Sequence, residues 1–123
     1  MSLSSKKTMV LGASANPERY SNLAVRRLRN AGHSVSAVGR KPATVGDVEI
    51  AADKLVVTDV DTVTLYLNPA NQKEYYDYIL SLHPKRIIFN PGAENPELEA
   101  LASAHGIEPV EACTLVLLST GQY

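Results

Sequence analysis

The stretch TMVLGASANPERYSNLAVRRLRNAGHSVSAV, residues 8–38, decides the fold. It opens with a short apolar run, Thr8-Met9-Val10-Leu11, that stops at Gly12, the pattern of a buried strand. After a loop, Ala24, Val25, Leu28 and Ala31 fall on one helical face, with Arg26, Arg27 and Arg29 opposite. Gly32 reads as the left-handed residue that closes this helix. His33-Ser34-Val35-Ser36-Ala37-Val38 then reads as a second strand.

The same alternation continues down the chain. Asp61-Thr62-Val63-Thr64-Leu65-Tyr66-Leu67 is β-branched and reads as a strand. Tyr75, Tyr78, Ile79 and Leu82 line one face of a helix, with Glu74, Asp77 and Ser81 outside and Pro84 beyond its end. Arg86-Ile87-Ile88-Phe89 is another strand. Asn95 is a good N-cap with Pro96 at the first helical position, and Leu98, Leu101, Ala102 and His105 follow at helical spacing up to Gly106. Ile107-Glu108-Pro109-Val110 reads as a short last strand, placed at a sheet edge by its proline. Val45-Gly46-Asp47-Val48-Glu49-Ile50 suits a small hairpin or a short third strand, and Cys113-Thr114-Leu115-Val116-Leu117-Leu118 suits a closing helix or a strand. Strands alternating with helices imply a mainly parallel sheet covered on both faces. The expected class is α/β, a Rossmann-like three-layer α/β/α sandwich.

With 123 residues the chain suits one domain. Residues 1–6 read as a disordered lead and 7–123 as the single domain. A chain this long buries about two-thirds of its unfolded surface, so no covalent staple is required. The net charge of -1 gives no reason to expect nucleic acid or an acidic membrane as partner. The single cysteine, Cys113, excludes an intramolecular disulfide and fits a reducing compartment. With no signal-like or membrane-spanning run, a cytoplasmic location is expected.

In open α/β sheets, ligands bind beyond the carboxyl ends of the strands. Those positions hold Gly12-Ala13-Ser14-Ala15-Asn16-Pro17, Gly39-Arg40-Lys41-Pro42, Asn68-Pro69 and Asn90-Pro91-Gly92. Gly12 lacks a Cβ and would let a phosphate approach the backbone ahead of a helix N-terminus. The three-glycine dinucleotide fingerprint is absent, since Ser14 and Pro17 stand where two glycines would be, and a plain strand-to-helix turn explains one glycine equally well. A NAD site usually carries Asp or Glu after the second strand. Here the basic pair Arg40-Lys41 suits a phosphorylated ribose, as in coenzyme A or NADP, or simply a solvated loop with two surface cations.

These residues resemble the coenzyme A-binding family of small Rossmann domains, relatives of the coenzyme A-binding part of succinyl-coenzyme A synthetase. The matching stretches are Val10-Leu11-Gly12-Ala13-Ser14, Pro17-Glu18-Arg19-Tyr20-Ser21, the helix ending Ala31-Gly32-His33, Asp61-Thr62-Val63 with Asn68-Pro69, Asn90-Pro91-Gly92-Ala93-Glu94-Asn95, Gly106-Ile107 and Glu111-Ala112-Cys113. The resemblance covers residues 7 to 113. It implies that Gly12, Ala13, Ser14, Arg19 and Ser21 hold the pyrophosphate. Gly39, Arg40 and Lys41 would border the adenosine and its 3′-phosphate, Asn68 and Pro69 would pack near the adenine or pantetheine, and Gly92 would open the floor. The chain departs from its relatives at Gly39-Arg40, where many read Asn-Pro, and at Asn90-Pro91-Gly92, where many read Gln-x-Gly.

Other chemistry is sparse. Cys113 reads as a small buried hydrophobe rather than as a thiol meeting that of coenzyme A, and the histidines His33, His83 and His105 read as structural. No metal-site spacing occurs. Tyr75, Tyr76 and Tyr78 suit core packing or a self-association surface, so a homodimer or another protein partner stays open. The expectation is a binding module for coenzyme A or an acyl-coenzyme A, acting as sensor, carrier or regulatory subunit. The alternative is a small NADP-dependent or ligase-like enzyme using the same strand-end pocket.

Overall fold

A computed structural model describes residues 5–123. The apolar run at 8–11 extends into a six-residue strand, β1 (Thr8–Ala13). It is followed by α1 (Tyr20–Asn30), β2 (Val35–Gly39), β3 (Ala43–Val45), β4 (Val48–Ala51), β5 (Thr62–Leu65), α2 (Pro69–Gln72), α3 (Tyr76–Leu82), β6 (Arg86–Phe89), α4 (Pro96–Ala104), β7 (Glu108–Glu111) and α5 (Thr114–Ser119). The seven strands form one sheet in the order β3-β4-β2-β1-β5-β6-β7. Every neighbouring pair is parallel except β3 and β4, which make an antiparallel hairpin at one edge. Pro109 lies on β7, the opposite edge, where its missing N–H disturbs no further ladder.

Alternation along the strands divides the core into two layers. Met9 and Leu11 point with Leu65 and Phe89 to the face covered by Ile79 of α3 and Leu98 and Ala102 of α4. Val10 points the other way, against Val25 and Leu28 of α1, with Leu118 of α5 packed on the same cluster. The three-layer Rossmann-like architecture follows, because each face of a buried parallel sheet needs its own helical cover.

Several local expectations are corrected. The helix expected from the face Tyr75, Tyr78, Ile79 and Leu82 begins only at Tyr76: Tyr75 ends a 3-10 turn (Lys73–Tyr75) that joins α2 to α3, and of the expected stripe only Ile79 is fully enclosed. Ala31 caps α1 in solvent instead of joining its buried face. His105 caps α4, exposed, with its Nδ1 2.8 Å from the Leu101 carbonyl, rather than packing on the stripe. His33 is buried before β2, and its Nδ1 accepts from the Lys6 N–H at 2.9 Å. Of the expected disordered lead, residues 1–4 lie outside the described residues, while Lys6 is tied by that bond.

The connections set up the site. The chain leaves β1 towards β2, adds the β3–β4 hairpin outside it, then crosses through residues 52–61 to β5 on the other flank of β1. The strand order therefore reverses beside β1, and a crevice opens at that reversal.

Candidate functional site

At the carboxyl ends of the strands lies a cavity of about 790 Å³, within the range of small-molecule and cofactor pockets. It gathers Gly12, Ala13, Ser14, Arg19, Ser21, Gly39, Arg40, Lys41, Asn68 and Gly92 from four separate loops. Pro69 is the one expected residue that does not line it. Pro69 instead starts α2, where Asn68 caps the helix by accepting from the Asn71 N–H at 2.9 Å.

The glycine at the end of β1 has a different reason from the one its position suggested. Gly12 sits at a register break between β1 and β2, with φ +89°. A Cβ there would stand 2.8 Å from the main-chain oxygen of Tyr66 and 2.9 Å from its carbonyl carbon. The protein's own packing of β1 on the end of β5 thus demands the glycine, whatever the ligand. Gly39 is similar, since its Cβ would run into the Ala13 main-chain oxygen. Gly92 follows Pro91 in a turn closed by the Ala93 N–H donating to the Asn90 carbonyl at 2.8 Å, with φ +93°. Proline followed by a positive-φ residue is the type II arrangement.

The loop between β1 and α1 is held from within. The buried Asn22 side chain donates to the Ser14 carbonyl at 3.0 Å and accepts from Arg26 Nε at 3.0 Å. Asn16 accepts from the Glu18 N–H at 3.0 Å and its own N–H donates to Ser14 Oγ at 3.1 Å. These bonds leave the start of α1 facing the cavity. Its N-cap position, Arg19, makes no side-chain cap, and no acidic residue lies in its first turn. α4, by contrast, is capped by Asn95. The first N–H groups of α1 and the positive end of its dipole are therefore offered to whatever occupies the cavity.

The electrostatics agree. Arg19, Arg40 and Lys41 all line the cavity, and among the described residues none of them takes part in an ion pair. Among the described residues, Glu74 is the one carboxylate on the wall.

The opposite rim rests on buried amides; the sequence reading passed over Gln72 and took Asn95 only as a helix cap and Asn90 only as a turn residue. Gln72, fully enclosed, donates from Nε2 to the Leu67 and Ala93 carbonyls, both at 2.8 Å. Its Oε1 accepts from Asn95 Nδ2 at 2.8 Å, and Asn95 Nδ2 also reaches the Tyr76 hydroxyl at 2.8 Å. This network locks the loop after β5 to the loop after β6. The signal was present: Gln72 stands seven residues before Ile79, a polar side chain on an apolar helical face. Asn90 plays a similar part, donating to Thr64 Oγ1 at 2.7 Å and to the Leu65 carbonyl at 2.8 Å while accepting from the Thr114 N–H at 2.9 Å. Next to this cluster the Tyr66 hydroxyl is buried without a hydrogen bond, close to Thr64 and Thr114, and burial pushes its pKa up to about 12.

A family model described as the CoA binding domain matches residues 6–119. Similar solved structures include an uncharacterized protein, 53% identical with a TM-score of 0.95, the match covering 98% of this chain and 100% of that one. A hypothetical protein from Pyrococcus horikoshii OT3 is 25% identical with a TM-score of 0.84, over 94% of this chain and 83% of its own. A Thermus thermophilus protein is 24% identical with a TM-score of 0.83, over 97% and 91%, and its likeness is one of fold. A search of the curated proteins finds no match. Given a model that spans nearly the whole described chain, the protein belongs to the CoA binding domain family.

Proposed function

We propose that this chain binds coenzyme A or an acyl-coenzyme A in the strand-end cavity, as a module that senses, carries or regulates. The observation that carries this reading is the convergence of Arg19, Arg40 and Lys41 with the uncapped start of α1 around one cavity. Coenzyme A carries a pyrophosphate and a separate ribose phosphate, so it needs two anion-binding places within one crevice. The N–H groups at the start of α1, the Ala13–Ser14 loop, Arg19 and Ser21 suit the pyrophosphate. Arg40 and Lys41, one strand away, suit the 3′-phosphate through charge-assisted hydrogen bonds. Asn68 and Gly92, on the other side, leave room for the pantetheine arm.

The same cations would suit the ribose phosphate of NADP, and the experiment separates the two. A ligand that binds only the folded state raises the melting temperature by mass action. Coenzyme A is expected to give a larger rise than NADP or NAD at equal concentration. Replacing Arg40 and Lys41 together with Ala is expected to weaken coenzyme A about tenfold or more, from charge-assisted bonds worth about 1.5–3 kcal/mol. Dephospho-coenzyme A should lose far less, and the difference should shrink as salt rises. A larger rise with NADP would favour the enzyme reading, and equal losses for the two coenzyme A forms would overturn the placement of the 3′-phosphate.

A further inference from the structure

Among the described residues three tyrosines line the cavity, Tyr20, Tyr66 and Tyr75; Tyr20 is largely exposed and the Tyr66 hydroxyl is buried, whereas the Tyr75 ring is braced by its neighbours. Tyr75 ends the 3-10 turn after α2 and lies half-buried, partly packed on the core and partly lining the cavity. Its ring is held in place from outside. The Lys54 ammonium, from the crossing loop between β4 and β5, lies 5.3 Å over the ring centroid. That ammonium also donates to the Glu74 main-chain oxygen at 2.7 Å. The neighbouring residue Leu55 accepts from the Tyr78 hydroxyl at 2.6 Å, and the Tyr78 ring abuts Tyr75 at 6.5 Å and a 59° tilt. Two hydrogen bonds and a cation–π contact thus pin the crossing loop to the segment that bears the ring.

Tyr75 lines the same cavity as Arg40 and Lys41. Burial, then Glu74, hold its hydroxyl above the usual tyrosine range, and the Arg40 guanidinium acts against them. In an adenine nucleotide with a phosphorylated ribose, base and phosphate hang from the same sugar. A surface for the base must therefore stand beside the cations that take the phosphate. Tyr75 is flat, braced by Lys54 and Tyr78 and set in the cavity wall that also carries Arg40, so little ordering is lost when a base stacks on it.

We infer that Tyr75 is the stacking platform for the nucleobase of the bound nucleotide and that Lys54 is the positioning residue that holds it; this rests on the coenzyme A reading above. The base then covers the cavity-side surface of the ring while Lys54 occupies the opposite one.

The test is titration calorimetry with coenzyme A and with its two halves, adenosine 3′,5′-bisphosphate and 4′-phosphopantetheine, together with the adenine absorbance near 260 nm on binding. Tyr75→Leu and Tyr75→Ala should weaken coenzyme A and the bisphosphate about 5- to 100-fold, the usual range for one stacked base. They should leave 4′-phosphopantetheine unchanged and abolish the loss of absorbance that stacking produces. Tyr75→Phe keeps the ring and should behave as the parent chain. Lys54→Met should weaken the bisphosphate a few-fold with 4′-phosphopantetheine again unchanged. If the parent chain binds coenzyme A while Tyr75→Leu keeps its bisphosphate affinity and absorbance change, the inference is overturned and the coenzyme A reading stands. Equal losses for both halves would also overturn it, by making Tyr75 a structural residue. If the parent chain binds neither coenzyme A nor the bisphosphate, the underlying reading fails.

Discussion

Replacing Gly12 by Ala should be one of the most damaging single-methyl changes available in this chain. Two costs add. At φ +89° an L side chain is strained, typically by about 1–2 kcal/mol. The new Cβ would also stand 2.8 Å from the Tyr66 oxygen and 2.9 Å from its carbonyl carbon. These are main-chain atoms of a strand end and cannot rotate away, so β1 and β5 must part locally, at the usual overpacking cost of about 1–3 kcal/mol. The total, about 2–5 kcal/mol, is a large share of the roughly 5–15 kcal/mol that holds a domain folded. Gly92→Ala supplies the control. Gly92 has a nearly equal φ of +93°, but nothing lies within 4 Å of an added Cβ, so only the strain of about 1–2 kcal/mol applies. Urea unfolding of both variants measures the difference, since the midpoint shifts by the energy change divided by a slope of about 1–3 kcal/mol per molar. Gly12→Ala is expected to lose at least about 1 kcal/mol more than Gly92→Ala. Equal losses would refute the claim that close approach of β5 is what demands the first glycine.

Two further outcomes concern residues away from Arg19, Arg40 and Lys41. Burial first, then the charges of Lys6 and Arg86, hold the pKa of His33 below its usual value, and the neutral ring accepts the Lys6 N–H. Because the folded state disfavours the imidazolium, stability is fully present above pH about 6.5 and falls as pH drops below it, towards the depressed folded value. In urea titrations at pH 7.5 and 5.5, His33→Gln should show a smaller decline than the parent chain, and an identical decline would exclude His33 as the source. Gln72→Leu would strand the Leu67 and Ala93 carbonyls and an Asn95 donor bond, at about 1–3 kcal/mol per unpaired group. Its cost should be non-additive with Asn95→Ala by about 0.5–3 kcal/mol in a double-mutant cycle, whereas simple additivity would show that the two amides do not act as one network.

The corrections share a physical pattern. Where a residue's role depended on its own element, the sequence reading matched the structure: β6 at Arg86–Phe89, the Asn95–Pro96 start of α4 and the edge position of Pro109. Where the role depended on where an element starts or stops, it did not. Tyr75 shows helical spacing with Ile79, yet the 3-10 turn before α3 carries it to the cavity wall. His105 continues the stripe of α4 by spacing, yet the helix ends at Ala104 and leaves it in solvent.

By itself the sequence determined the class of fold and the edge of the sheet at which the cavity opens. Short apolar runs alternating with helical stripes have one economical solution, a parallel sheet covered on both faces, and the turn residues after the strands then collect along one edge. Arg40, Lys41 and the loop at Gly12 were legible for that reason as residues lining the cavity, and Arg19 through the family resemblance alone. Only the tertiary structure decided which of these residues meet, what each glycine is for and which polar side chains hold the rim. The strand order brings the end of β5 against Gly12. The crossing loop brings Lys54 over Tyr75, and the loops after β5 and β6 close around Gln72. Such contacts join residues twenty or more positions apart, as between Lys54 and Glu74 or Gln72 and Ala93. Local periodicity carries no record of them, because it registers only what a residue's near neighbours in the chain require.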